Sequence, residues 1–297
     1  MRKLFCLSAA ILALTAGAAS ARTILFIGNS FTMGSGSAAH YYQADTVHDL
    51  NPPDARGKTL GGQGAIFKEF TKEAGLDYDV SVEAVGGKNF DFHYGEKLPL
   101  LDRPWDEVVL QSYSQLDKDK PGDPSLVIEY SQKLDKVFHA RNPNVKVWFQ
   151  ATWSRADYSS PEIAPWKGKP IDQMAKDVYA GYEKAKTASP DVAGIIPVGL
   201  AWNRAWATGV ADSDPTDGIA AGKLNLWTYD SQHGSVPGYI LAALVVFGQV
   251  TGHDPMSLGD REHVAMDLGL SPAQMHALEQ VSHDELAAHG VTLTAMK

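Results

Sequence analysis

Apolar residues follow two rhythms along this chain. Short, nearly continuous apolar runs recur at 23–27, 78–84, 107–111, 145–150 and 194–198, several rich in Val, Ile and Phe. Runs of that length with little polar interruption are how strands buried on both faces read. Between and after them, helix-period segments occupy 66–74, 125–140, 172–187, 236–251 and 272–288. Strands alternating with helices predict one parallel sheet covered on both faces: a three-layer α/β/α, flavodoxin-like domain with five parallel strands. The 236–251 segment has the clearest ends, with Ser235 before it, Pro237 in its first turn and Gly252 just beyond. Its apolar run, 239–250, is too short to span a bilayer.

Three segments are too long for simple connections: 34–64, 152–171 and 199–230. Loops of that length inside a domain are usually functional or irregularly structured. Trp153, Trp166, Trp202, Trp206 and Trp227 lie in the latter two. No repeat, low-complexity tract or charge run marks a second domain.

Composition narrows the function classes. At 297 residues, 44% hydrophobic and 21% charged, the chain is of ordinary globular type. A chain this long buries roughly 75% of its unfolded surface and needs no metal or disulfide to hold its core. Lys and Arg number 26 against 35 Asp and Glu, and the basic residues gather nowhere, which argues against nucleic acid or an anionic membrane as partner. No strand is followed by a phosphate-binding or dinucleotide fingerprint, so no cofactor is expected.

The first 21 residues read as an export signal: Arg2 and Lys3, a mostly apolar stretch over 4–14, then Ala19-Ser20-Ala21 as the small-residue cleavage pattern. Thr15, Gly17 and Ser20 break the apolar run well short of a transmembrane helix. Residues 22–297 are then expected to form one domain in the periplasm or outside the cell. Cleavage would remove Cys6, the single cysteine, which excludes thiol nucleophiles, disulfides and Cys-ligated zinc. It would also take the formal charge from −9 to −11 with the loss of Arg2 and Lys3.

The first strand stops abruptly at Gly28-Asn29-Ser30. A serine there stands at the carboxyl-end rim where open α/β sheets bind ligands. If a helix starts just after it, backbone N–H groups face the same point and can stabilise an oxyanion. Ser30 can equally be an N-cap and nothing more.

Gly28-Asn29-Ser30-Phe31-Thr32 resembles the nucleophile block of the SGNH (GDSL-like) hydrolase superfamily, in the branch that writes it GNSFT. Asp230-Ser231-Gln232-His233 resembles that superfamily's D-x-x-H block. The resemblance implies a catalytic Ser30, a base in His233 and an orienting carboxylate in Asp230. D-x-x-H by itself discriminates little, because Asp45/His48 and Asp260/His263 also match it. Placement favours Asp230/His233: the pair follows the last strand and leads through Gly234-Ser235 directly into the apolar helix. The other two pairs read as surface residues or helix caps.

The middle blocks depart from the commonest superfamily pattern. For the glycine N–H of the oxyanion hole the candidate is Gly87, with Gly86 as alternative; either equally serves a turn that needs positive φ. For the usual asparagine the chain offers Gln111, with Gln115 competing, since a glutamine amide donates the same bond from a longer stem. Gln150, Trp153 and Arg155 stand where the fourth strand meets the rim. Arg155 is either a substrate ligand or one half of a surface ion pair. Trp153 and Trp227 are expected to stack on sugar faces, or else simply to fill the core.

His40, His93 and His139 are scattered without metal-binding spacing, and the best metal group, His253, Asp254, Asp260 and His263, reads as surface residues, so no metal is expected. With the export signal and the aromatic loops, the resemblance implies a secreted serine esterase removing an O-acetyl group from a carbohydrate. The alternatives are a lipase-like or aryl esterase, an acyltransferase of the same fold, and an inactive glycan-binding protein.

Overall fold

A computed structural model describes residues 20–259 and 262–296. The expected export segment lies outside them except for its last two residues, as do Cys6 and Asp260. The strands are β1 (Arg22–Gly28), β2 (His48–Asp49), β3 (Tyr78–Ala84), β4 (Glu107–Leu110), β5 (Lys146–Gln150) and β6 (Gly194–Ile196). All pair in parallel, in the spatial order β2-β3-β1-β4-β5-β6. The chain leaves β1 toward β3 on one side and later returns to β4 on the other, so a crevice opens beyond the carboxyl end of β1.

The helices are α1 (Gly62–Glu73), α2 (Phe90–Glu96), α3 (Leu98–Leu101), α4 (Ser125–Arg141), α5 (Asp172–Ala188), α6 (Val198–Ala207), α7 (Val236–Thr251), α8 (His263–Leu268) and α9 (Pro272–Ala288). Successive side chains of a strand point to opposite faces. Ile24 and Phe26 of β1 therefore enter one core with residues of α1, α6, α7 and α9, while Leu25 and Ile27 enter the other with α2, α4 and α5. All four are fully buried.

Helix α7 is apolar nearly all round because α1, α6 and α9 pack against it. Its ends are those the sequence predicts: the Ser235 side chain accepts from Gly238 N–H, Pro237 sits in the first turn, and Gly252 caps the end at φ 71°. No helix among the described residues is long and apolar enough to cross a membrane.

The sheet has six strands rather than five, because two residues of the 34–64 segment pair along the outer edge of β3. Such a pairing leaves no trace in a hydrophobic pattern. Helix α6 occupies the start of the 199–230 segment, and β6 stops at Ile196, two residues before the expected end. Helix α6 buries a regular stripe of Val198, Ala201, Trp202 and Ala205, in a segment that reads as a long loop from its sequence. Helices α2, α3 and α8 have seven, four and six residues, too few for a periodic signal.

Candidate active site

Ser30 follows β1 by two residues. Gly28, at the strand's end, tolerates no side chain: a Cβ there would lie 2.1 Å from Thr32 Oγ1 and 2.6 Å from Gln111 Oε1. The tight turn after it brings Met33 N–H onto Asn29 C=O at 3.0 Å. Asn29 ties this turn to its neighbours, since its Nδ2 donates to Lys88 C=O (3.1 Å) after β3 and to Ser112 C=O (3.2 Å) after β4. Its Oδ1 accepts from Phe31 N–H. One buried amide thus sets three rim loops around Ser30.

The loop before α7 reaches the same place. His233 Nε2 lies 2.8 Å from Ser30 Oγ, and His233 Nδ1 lies 2.6 Å from Asp230 Oδ2. The other oxygen, Asp230 Oδ1, accepts from Gln232 N–H and His233 N–H, both at 2.9 Å. Burial works against the Asp230 charge, but the imidazole and these two backbone donors outweigh it and hold the carboxyl below its ordinary range. Ser231, at φ 56°, closes the turn that makes this possible, and its C=O accepts from Ala156 N–H. A carboxylate fixing one imidazole nitrogen while the other meets a hydroxyl is the geometry that activates a serine.

The remaining D-x-x-H histidines are elsewhere. His48 lies on β2 and pairs with Asp79 at 3.0 Å, not with Asp45. His263 pairs with Glu69 and Glu73. Of the sequence-based metal group, Asp260 lies outside the described residues, and the other three are engaged separately: Asp254 meets His283, His253 Nδ1 meets Thr251 C=O, and His263 meets Glu69 and Glu73. Among the described residues Glu69, Glu73 and His263 do place one ligand atom each within 4.8 Å of one another, on α1 and α8, where they already bond to each other and to Lys72. Of the scattered histidines, His93 is buried on Glu83, His139 pairs with Asp135, and His40 meets Met33 C=O.

A small cavity of about 110 Å³ opens at Ser30, lined by Asn29, Gly87, Tyr113, Gln115, Lys118 and Arg155 among others. Neither Ser30 N–H nor Gly87 N–H donates to an acceptor among the described residues. Gly87 sits at φ 65°, and the Tyr113 hydroxyl donates to its C=O at 2.7 Å. Gly86, by contrast, lines a different cavity, so of the two glycines Gly87 is the one at Ser30.

Gln111 does not face the serine, which corrects the sequence-based choice between the two glutamines. Its Oε1 accepts from Asn29 N–H (3.1 Å) and Thr32 Oγ1 (2.9 Å), and its amide nitrogen donates to Ser112 C=O. Its oxygen holds the serine turn and its nitrogen is turned back onto its own loop. Gln115 lines the cavity instead. Its Oε1 accepts from Ser114 Oγ (2.9 Å) and faces Arg155 Nη1 at 3.5 Å. Because guanidinium groups only donate, this neighbour fixes the amide's sense and leaves the NH₂ for the cavity.

Arg155 is one half of an ion pair, as one of the two readings had it, but a buried pair and not a surface one. It lines the cavity, where Nη2 is 2.5 Å from Asp157 Oδ2 and Nη1 is 2.7 Å from Glu162 Oε2. Its charge is matched before any substrate arrives. Sequence reasoning passed over Tyr113, and also Tyr239, whose hydroxyl reaches the carbonyls of Ser30 and Ser35. No local pattern distinguishes either tyrosine.

The tryptophans correct a second expectation. All five are buried, with Trp153, Trp202 and Trp227 at most 1% exposed. Trp153 stacks on Trp202 with ring centroids 4.4 Å apart and planes within 1°, Trp206 stacks on Trp227, and Trp153 also stacks on Phe31. Trp153 Nε1 donates to Gln232 C=O and Trp227 Nε1 to Ser154 C=O. Trp153 and Trp227 therefore hold up the serine and histidine loops and present no ring face to a sugar. Trp202→Ala should accordingly cost about 3–5 kcal/mol of stability, read as a lower urea midpoint; a variant of unchanged stability with weakened glycan binding would contradict the packing role.

No family model matches the chain, and no curated protein matches it either. Solved structures do. A DUF4886 family protein from Bacteroides uniformis superposes with a TM-score of 0.61 at 15% identity, covering 93% of this chain and 98% of that one. A candidate SGNH hydrolase from Slackia heliotrinireducens superposes with a TM-score of 0.51 at 19% identity, covering 78% of this chain and 100% of that one. At these identities the likeness is one of fold: the chain has the three-layer α/β/α fold of SGNH hydrolases.

Proposed function

We propose that the protein is a serine esterase that hydrolyses short O-acyl esters through a Ser30 acyl-enzyme. The observation that carries this reading is the single line of contacts from Asp230 through His233 to Ser30 Oγ, at 2.6 and 2.8 Å. In the first step Ser30 Oγ attacks the ester carbonyl carbon while His233 Nε2 takes its proton. The tetrahedral oxyanion is met by Ser30 N–H, Gly87 N–H and the Gln115 amide. His233 then returns the proton to the departing alcohol, and a water repeats the sequence to release the acid.

An acyl group as short as acetyl fits the small polar cavity, which lies well below the roughly 300–1,000 Å³ of sites that enclose drug-sized ligands. That size speaks against a lipase-like preference for long chains. Buried indoles withdraw the stacking support for a carbohydrate alcohol. Export remains part of the proposal on the strength of residues 1–21. An acyltransferase would share every residue named here and differ only in the acceptor.

The test is labelling with a fluorophosphonate followed by acetate release from a panel of acetylated oligosaccharides, aryl esters of rising acyl length, and triglycerides. Modification at Ser30 with acetate esters preferred over longer acyl chains is expected. A folded protein that is neither labelled nor active on any acetate ester would leave an inactive binding protein as the reading.

A further inference from the structure

A second cavity, of about 290 Å³, lies at the same rim on the far side of the turn after β3. Gly86 lines this cavity and Gly87 lines the one at Ser30, while Met33 and Ser30, from the turn after β1, are divided in the same way. The two cavities therefore share two walls, and the Gly86-Gly87 saddle lies between them.

Gly86 is a glycine the fold does not require. Gly87 has the positive φ that favours glycine, but Gly86 is not among the positive-φ residues, and a Cβ on Gly86 would meet nothing within 4 Å. Conformation and packing both leave room for a side chain there. A side chain at Gly86 would project into the open space at the edge of this cavity. A glycine that neither turn nor packing demands fits a site where a ligand lies close to the backbone.

The far cavity has the surface of a polar ring binder. Met33, Leu60 and Val85 give apolar wall, and Tyr41 closes one side. Lys58 and Lys97 supply ammonium donors that have no carboxylate partner among the described residues, Lys97 Nζ resting on Asn51 Oδ1 at 2.8 Å. Asp49 is held in place by the N–H groups of Asn51 and Leu60, and Asp54 by those of Arg56 and Lys58 together with the Tyr41 hydroxyl and the Arg56 guanidinium, while Lys58 Nζ lies 5.1 Å from the Tyr41 ring centroid. Apolar faces with convergent donors and acceptors suit a molecule whose rings have apolar faces and hydroxylated edges.

We propose that the alcohol portion of the ester is a glycan that crosses the Gly86-Gly87 saddle and seats a sugar residue in this second cavity. The inference rests on the esterase reading of Ser30. The acyl group occupies the small cavity beside Gln115, and the sugar next to the scissile bond lies over the glycines. Specificity for the alcohol then comes from segment 33–60 with the 84–86 turn and Lys97, not from the tryptophan-bearing segments.

The test compares kcat/KM on an acetylated oligosaccharide with kcat/KM on a small aryl acetate in the full-length mature enzyme. For Gly86→Leu the ratio of the two should fall at least tenfold, borne by KM for the oligosaccharide. For the Lys58→Ala/Lys97→Ala double variant it should fall several-fold, again through KM. An unchanged ratio in both variants, or equal losses on both substrates, would overturn the proposal. Wild-type activity on the aryl acetate with none on any acetylated oligosaccharide would overturn the glycan occupant and leave the esterase intact. Absence of Ser30 labelling and of aryl acetate cleavage would remove the esterase reading itself, and the proposal with it.

Discussion

Replacing Ser30 by alanine should lower kcat by about 10⁴- to 10⁶-fold, replacing His233 by alanine should do nearly the same, and the double variant should lose little more. The reason is the geometry of the pair. Oγ and Nε2 stand 2.8 Å apart, and a serine hydroxyl at neutral pH is a poor nucleophile unless a base takes its proton as it attacks. Without the base the hydroxyl is inert, and without the hydroxyl the base has nothing to activate. Asp230→Asn should also be costly, about 10⁴-fold, because an amide can present NH₂ to Nδ1 and stabilise the wrong tautomer. Steady-state kinetics with an acetate ester, on variants whose circular dichroism matches the wild type, gives the answer. Losses that multiply, or near-full activity in a folded Ser30→Ala variant, would dissolve the unit.

The second large effect separates the two glutamines. Gln115→Ala should reduce kcat by about 10²- to 10³-fold, since its amide NH₂ is unused until an oxyanion forms; its stability cost comes from the Oε1 that Ser114 Oγ and Arg155 lose, so rate loss beyond the stability change is the signal. Gln111→Ala should act on the fold. It would strip the acceptor from the buried Asn29 N–H and Thr32 Oγ1, and leaving buried donors unpaired costs about 1–3 kcal/mol each. Thermal melts beside kcat for both variants make the comparison. If Gln111→Ala kept the wild-type melting temperature and lost the rate, the oxyanion assignment would be reversed.

These two residues also show what a sequence can and cannot disclose. The strand that ends at Gly28-Asn29-Ser30 put Ser30 at the rim but left it equally an N-cap; the resemblance of Gly28-Asn29-Ser30-Phe31-Thr32 to a nucleophile block is what singled it out. The position of His233 was legible because the 236–251 segment carries its own start and stop signals, and whatever precedes such a helix at the end of the last strand returns to the rim. Gln111 and Gln115 carry the same chemical group four positions apart. Only the donors that claim each carbonyl oxygen tell them apart: Asn29 and Thr32 on Gln111, Ser114 and Arg155 on Gln115, three of the four from other parts of the chain. The tryptophans posed the same problem in a different form. A Trp in a long irregular segment has equal claim to a binding surface and to a core, and the outcome depended on α6, a helix whose two indoles pack on Trp153 and Trp227. The two-residue β2 and the short helices α2, α3 and α8 are set by neighbours, with too few residues for a rhythm of their own.

The stacked indoles make the histidine loop optically visible. Trp153 and Trp202 lie parallel at 4.4 Å, with Trp227 5.5 Å from Trp202. Chromophores that close couple through their strong transitions, so the cluster should give a far-ultraviolet exciton couplet in the dichroism that an isolated tryptophan does not produce. Trp153 is also bonded to the carbonyl of Gln232, next to the catalytic imidazole. The couplet is then a reporter of whether the loop is docked, readable on the resting protein, without substrate and before any turnover.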